Sequence, residues 1–316
     1  MKSLSFLFAL CGLAVAQESI VRLDPKVDAL IPPGAAVETL CSGFTWVEGP
    51  VWDAKEKRLL FSDVPNNTIF QWKEGDKEAT VYLKPSGFTG PDARHLREPG
   101  SNGLAFDAKG QLLCCEHGDR RISYLTANGG KRTLTDNFQS KRFNSPNDLT
   151  VAPNGDVYFT DPPYGLPSRN EKDGELGFCG VFRVTPAGET TLVTRDFVRP
   201  NGVAISPDGK WLFVAQSDDS APTITRFPVN PDGTVGKGSL FFDAKELDGK
   251  GAPDGLKVDA QGNVFSSGRD GVMVIDPAGK LIGRILCGRQ TANVALGEGW
   301  LYITSKDRVQ RVKLNH

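Results

Sequence analysis

The sequence predicts an all-β fold, a six-bladed β-propeller with a central axial metal site. Three observations predict it. A unit of apolar alternation, turn and second apolar run recurs six times, at intervals of about 40 to 55 residues. Glycine and proline, 35 and 21 of 316 residues, exceed their combined average of roughly 12% and call for many turns. Each copy of the unit opens on a side chain that carries an oxygen.

The copies open at Glu48-Gly49-Pro50-Val51, Asn102-Gly103-Leu104-Ala105, Asn147-Asp148-Leu149-Thr150, Asn201-Gly202-Val203-Ala204, Asp254-Gly255-Leu256-Lys257 and the degenerate Asn293-Val294-Ala295-Leu296. Turns such as Pro153-Asn154-Gly155-Asp156 and Pro207-Asp208-Gly209-Lys210 fall at matching offsets. Asn and Gly tolerate φ > 0, so these are hairpin turns. A strand follows each turn, as in Leu112 to Cys115, Val157 to Thr160 and Trp211 to Ala215. No segment of this core carries a long helical period. Radial repetition of such units gives six blades. The sixth copy lacks room for its outer strand, which the segment around Ala36 to Cys41 is expected to supply, closing the ring.

Residues Met1 to Ala16 read as a secretory signal. Lys2 is the charged end, Leu4 to Leu13 the apolar run, and Ala14-Val15-Ala16 the small-residue cleavage site. The run is too short to span a bilayer, which takes about 20 residues. An exported protein, periplasmic or secreted, is expected, with residues 17–316 as one propeller domain, monomeric and without a membrane span. Cys41, Cys114, Cys115, Cys179 and Cys287 remain, an odd set without a disulfide framework's spacing. They read as small core residues, with at most one bridge.

Composition excludes several functions. Net charge is −1, which argues against nucleic acid as partner. The three histidines, His95, His117 and His316, form no His-x-x-x-His pair, and no Cys-x-x-Cys occurs, so the common zinc sites are disfavoured. No phosphate-binding Gly-x-x-x-x-Gly-Lys-Ser/Thr and no Gly-x-Ser-x-Gly elbow is found.

The six opening residues carry the functional argument. Equivalent positions in a propeller are related by its axis, so Glu48, Asn102, Asn147, Asn201, Asp254 and Asn293 converge on one central pocket if they face it. Buried amides and carboxylates need partners, and two carboxylates repel. A hard cation such as Ca²⁺, which takes six to eight oxygens, resolves both problems.

The segments Glu48-Gly49-Pro50-Val51-Trp52, Ser145-Pro146-Asn147-Asp148-Leu149, Arg199-Pro200-Asn201-Gly202-Val203 and Ala252-Pro253-Asp254-Gly255-Leu256 resemble the SMP-30/gluconolactonase family, from about Thr45 to Leu314. The resemblance implies a six-bladed propeller with one axial divalent metal and lactone-hydrolysing activity. It implies Glu48, Asn147, Asn201 and Asp254 as metal ligands. Ca²⁺ is the expected ion, with Mg²⁺, Mn²⁺ or Zn²⁺ as alternatives. Asn102 and Asn293 then fall in the substrate pocket.

A lactone presents one carbonyl and several hydroxyls. Metal polarisation, one general base and hydroxyl-binding side chains suffice to open it. Asp254 is one candidate base. Glu116 and His117, directly after the Leu112 to Cys115 strand, are the others, and they are expected at the rim of the metal pocket. The chain also resembles the paraoxonases at His117, but holds Asn102 where their second histidine would stand. Tyr164, in the loop Thr160 to Pro167, is placed to stack on a sugar. Arg142 is placed to bind substrate oxygens. Other lactones, aryl esters or phosphotriesters are alternative substrates, and a non-catalytic binding propeller is the alternative of another class. Fold alone does not choose among them.

Overall fold

The computed structural model describes residues 19–315. Residues 1–16, read above as a signal, lie outside the described residues. Six antiparallel sheets surround one axis. The first four each come from one stretch of chain: residues 47–83, 101–135, 149–194 and 200–243. In each of these four the innermost strand comes first in sequence, and the chain then steps outward through hairpins.

The last two blades borrow from the N-terminal segment. Glu38–Ser42 pairs with Arg308–Lys313 and completes the sixth blade, as the sequence predicts. Glu38 faces Arg311 in this pairing, and the carboxylate accepts from the guanidinium at 2.8 Å. Ile20–Arg22 pairs with Leu281–Leu286 and gives the fifth blade a fifth strand. The sequence did not announce this second strand, because three residues carry too little alternation to register. Trp52 of the first blade stacks on Tyr302 of the sixth, ring centroids 5.2 Å apart, so closure is packed as well as hydrogen-bonded.

Blades pack face to face through apolar side chains. Phe143, Phe159 and Phe182 are fully buried in the third blade, and Leu60, Ile69 and Leu104 lie between the first and second. The five cysteines in the described residues are free and buried. Burial pushes the thiols of Cys41 and Cys114 up to about 12, which leaves them unreactive core residues. Among the described residues no helix is long and apolar enough to cross a membrane.

Near the axis the inner strands approach so closely that only backbone fits. The Gly202 N–H donates to the Asp254 carbonyl of the next blade at 2.9 Å. A Cβ on Gly202 would stand 2.2 Å from that same oxygen. Gly202→Ala is therefore expected to cost about 1–3 kcal/mol or more, as overpacking against backbone does. Gly34, at φ +82 with open space around it, should lose only the backbone-strain share, about 1–2 kcal/mol, as Gly34→Ala. Urea unfolding midpoints of the two variants check the difference.

Candidate functional site

The inner strands break their own ladders where the opening residues sit. Pairing with the second strand is interrupted between Glu48 and Val51, Ser101 and Leu104, and Pro200 and Val203. In the third and fifth blades regular pairing begins only at Leu149 and Leu256. A bulge re-aims a side chain out of the sheet's alternation. Here it turns Glu48, Asn102, Asn147, Asn201 and Asp254 into one cavity of about 640 Å³, a size that suits a small ligand.

The sixth position is a correction. In successive blades the N–H after the opening residue donates to the opening carbonyl of the next blade: Gly103 to Asn147 at 2.7 Å, Gly202 to Asp254 at 2.9 Å. Gly255 donates in the same way to Ala292, at 2.7 Å. The opening residue of the sixth blade is thus Ala292, not Asn293. Asn293 occupies the place that Asp148 holds in the third blade. Each turns a side-chain oxygen back to the next N–H, Asn293 to Val294 at 2.8 Å and Asp148 to Leu149 at 2.9 Å. Asn293 is absent from the cavity wall, so five of the opening side chains, not six, meet there.

These side chains form a connected arc. Asn102 Nδ2 donates to Asn147 Oδ1 at 2.9 Å, and Asn147 Nδ2 donates to Asn201 Oδ1 at 2.6 Å. Glu48 accepts from the Gly49 N–H at 3.0 Å. Asn102 Oδ1 and Asp254 Oδ1 are buried and have no hydrogen-bond partner. Burial pushes the Glu48 carboxyl up to about 8, with the Asp148 charge adding to the rise. Burial also drives the Asp254 carboxyl well above the ordinary range, and the charges of Glu48 and Asp148 drive it further. The buried Glu48 carboxylate, the half-buried Asp254 carboxylate with its sealed, unpartnered Oδ1 and the unpartnered Asn102 Oδ1 are the donor chemistry of a hard cation, so the residues fit Ca²⁺.

His117 is only 1% exposed and does not line the cavity. Its Nε2 lies 3.1 Å from Asn147 Oδ1, and its Nδ1 lies 3.4 Å from Glu98 Oε2. The rim position expected from strand polarity is therefore displaced one layer inward, behind Asn147, because Gly165 of the Thr160 to Pro167 loop packs over the ring. Glu116 is corrected outright. It is fully buried inside its own blade and spent on Arg121 and Lys131, each at 2.7 Å. Arg142 is exposed and away from the cavity, its guanidinium donating to the Asp119 carbonyl at 2.9 Å. Tyr164 does line the cavity, and Arg169 lies over its ring at 5.3 Å.

Several wall residues were missed by sequence reasoning. Glu98 and Arg97 come from the connection between the first and second blades, and Arg169 from the connection after Tyr164. Arg169 Nη2 holds Glu98 Oε1 at 3.0 Å, tying the two connections together. Burial raises the Glu98 carboxyl, but His117, Arg169 and Arg97 outweigh that and hold it below the usual range. Irregular loops carry no period, so nothing in the sequence marked these residues. Ser217 and Trp46 complete two more walls.

Residues 46–307 match the family described as SMP-30/Gluconolactonase/LRE-like region. The chain belongs to this family. It is 37% identical over 305 residues to a gluconolactonase of Zymomonas mobilis, covering 93% of this chain and 85% of the relative. A 6-deoxy-6-sulfogluconolactonase of Pseudomonas putida is 29% identical over 82% of each chain. The solved structure of a gluconolactonase from Xanthomonas campestris superposes with a TM-score of 0.81 at 32% identity, covering 93% of this chain and 94% of that one.

Cation-free protein should show the cost of the buried carboxylates. The folded chain keeps a proton on Glu48 up to about pH 8, whereas a free glutamate releases it near 4.5. Between these values the unfolded state binds fewer protons, so stability falls as pH rises from about 4.5 to about 8. Urea titrations of chelator-treated protein across that range check the slope, and Glu48→Gln should reduce it, with Asp254 keeping its own share.

Proposed function

We propose that the protein hydrolyses a sugar lactone of the gluconolactone class to the open-chain acid, with a divalent cation held by Glu48, Asn147, Asn201 and Asp254. That the chain is a lactonase rests on its likeness to the Zymomonas enzyme over most of its length. The observation that supports the metal is the buried, unpartnered Asp254 Oδ1, facing the buried Glu48 carboxylate across the cavity. Ca²⁺ is the ion these oxygens suit best.

Hydrolysis adds a water oxygen to the lactone carbonyl carbon, breaks the ring C–O bond and delivers a proton to the ring oxygen. A bound cation supplies Lewis-acid charge beside the carbonyl. Asp254 takes the proton from the attacking water and returns it to the ring oxygen. Asn102 Oδ1, left without a protein donor, accepts from a substrate hydroxyl. Tyr164 and Ser217 offer hydroxyls on one wall, and Glu98 and Arg169 offer a carboxylate and a guanidinium on another. A polar wall of this kind suits a polyhydroxylated ring. His117 touches no substrate; it orients the Asn147 amide from behind. Export with removal of residues 1–16 belongs to the same reading, and N-terminal sequencing of native protein tests it.

The deciding experiment is a lactone panel assayed by acid release after chelation and single-metal add-back. Activity undiminished by excess chelator would refute the metal. Asp254→Ala should abolish cation binding and turnover together, the loss in rate exceeding about 10²-fold. His117→Leu removes a partner that holds a ligand amide, so cation affinity should fall about 10- to 100-fold. His117→Gln, which keeps a donor toward Asn147, should lose less; titration calorimetry of both variants checks the order.

A further inference from the structure

The position after each opening residue is Gly49, Gly103, Gly202 and Gly255 in four blades. It is Asp148 in the third and, on the corrected register, Asn293 in the sixth. These two blades face each other across the axis. Asn293 Nδ2 donates to Asp148 Oδ2 at 3.3 Å, so the pair forms a crossbar through the centre of the ring. The glycines make room for it: a Cβ on Gly255 would stand 1.9 Å from Asn293 Cγ, and one on Gly103 would stand 2.8 Å from Asp148 Oδ1.

Lys257 is the second exception. The corresponding residues of the other blades are Val51, Ala105, Thr150, Ala204 and Ala295, none of them charged. Its ammonium lies 3.8 Å from Asp148 Oδ2 and 3.5 Å from Asn293 Oδ1, and it donates to the Leu256 carbonyl at 3.0 Å. Asp148 is 1% exposed and lies outside the cavity wall, beneath the arc of ligands. A fourth carboxylate near the arc, Glu98, is matched by Arg169 at 3.0 Å, so the axis itself carries three carboxylates, Glu48, Asp148 and Asp254, and one ammonium.

We propose that Lys257 is a built-in counter-ion which, through the Asp148–Asn293 crossbar, fixes the axial charge so that the site prefers a divalent to a trivalent cation. The inference rests on the metal reading above and concerns what sets the ion's charge. Three negative charges against one positive leave two to be matched. Asp148 follows Asn147 directly in the chain and Lys257 stands 3.8 Å from it; at such separations one added or removed unit of charge is expected to alter cation affinity about tenfold.

The test uses full-length protein with Ca²⁺ and Tb³⁺, ions of similar size and different charge. Terbium luminescence, sensitised by Trp46 on the cavity wall, reads binding without reference to activity. Lys257→Met should shift the affinity ratio toward Tb³⁺ about tenfold or more. Asp148→Asn should shift it about as far toward Ca²⁺, and remains informative if Lys257→Met fails to fold. The double variant should return near the wild-type ratio. If wild type binds both ions and either folded single variant keeps the wild-type ratio, the counter-ion role is overturned. A wild-type protein that binds neither ion overturns the metal reading, and this inference with it.

Discussion

The structure depends on one constraint, the contact of backbone with backbone where inner strands meet around the axis. An N–H from one blade reaches the opening carbonyl of the next at 2.7 to 2.9 Å. No side chain fits between strands at that spacing, which is why glycine follows the opening residue in four of the six blades. The same contact satisfies buried peptide groups that would otherwise be costly. It also fixes the depth and direction of each opening side chain. A cavity lined by Glu48, Asn102, Asn147, Asn201 and Asp254 is therefore a product of closure, not an addition to it.

The architecture was legible because it is repeated. Six copies of a strand pattern, with Asn-Gly and Asp-Gly turns at matching offsets, specify blades and their order. The opening residues of five blades were legible for the same reason. The sixth was misread by one residue, since Asn293-Val294 imitates the pattern while Ala292 holds the position. Only the hydrogen bond from Gly255 to Ala292 reveals the shift. Glu116 and His117 were misplaced for another reason. Strand polarity predicts the mouth at which a residue emerges, but not which loop covers it or which cation claims it. Lys131 and Arg121 claim Glu116, and the loop at Gly165 covers His117.

Crowding two carboxylates together opposes folding, and the weakened acidity of Glu48 and Asp254, both held above the ordinary carboxyl range, reflects that opposition. Interlocked blades carry the burden. Their apolar faces are buried over much of the chain, and the last two blades are tied by strands from the N-terminal segment. A rigid frame can hold like charges in a geometry they would not choose. The energy so stored is recovered by whatever positive charge enters, so a site costly when empty becomes stabilising when filled.

Chemistry and selectivity are separated in this frame. The arc of opening residues hangs on inner strands, whose position closure dictates, and sequence change there is confined by backbone contact. Glu98, Arg97, Tyr164 and Arg169 hang on connections between strands, which bear no such constraint. Glu98 joins the two layers. It meets Arg169 on one side and His117 on the other, and His117 touches the Asn147 amide. A change of loop sequence that moved Glu98 would thus reach the Asn147 amide through one imidazole. The layer set by the connections and the layer set by closure therefore meet at a single imidazole, and neither moves without the other.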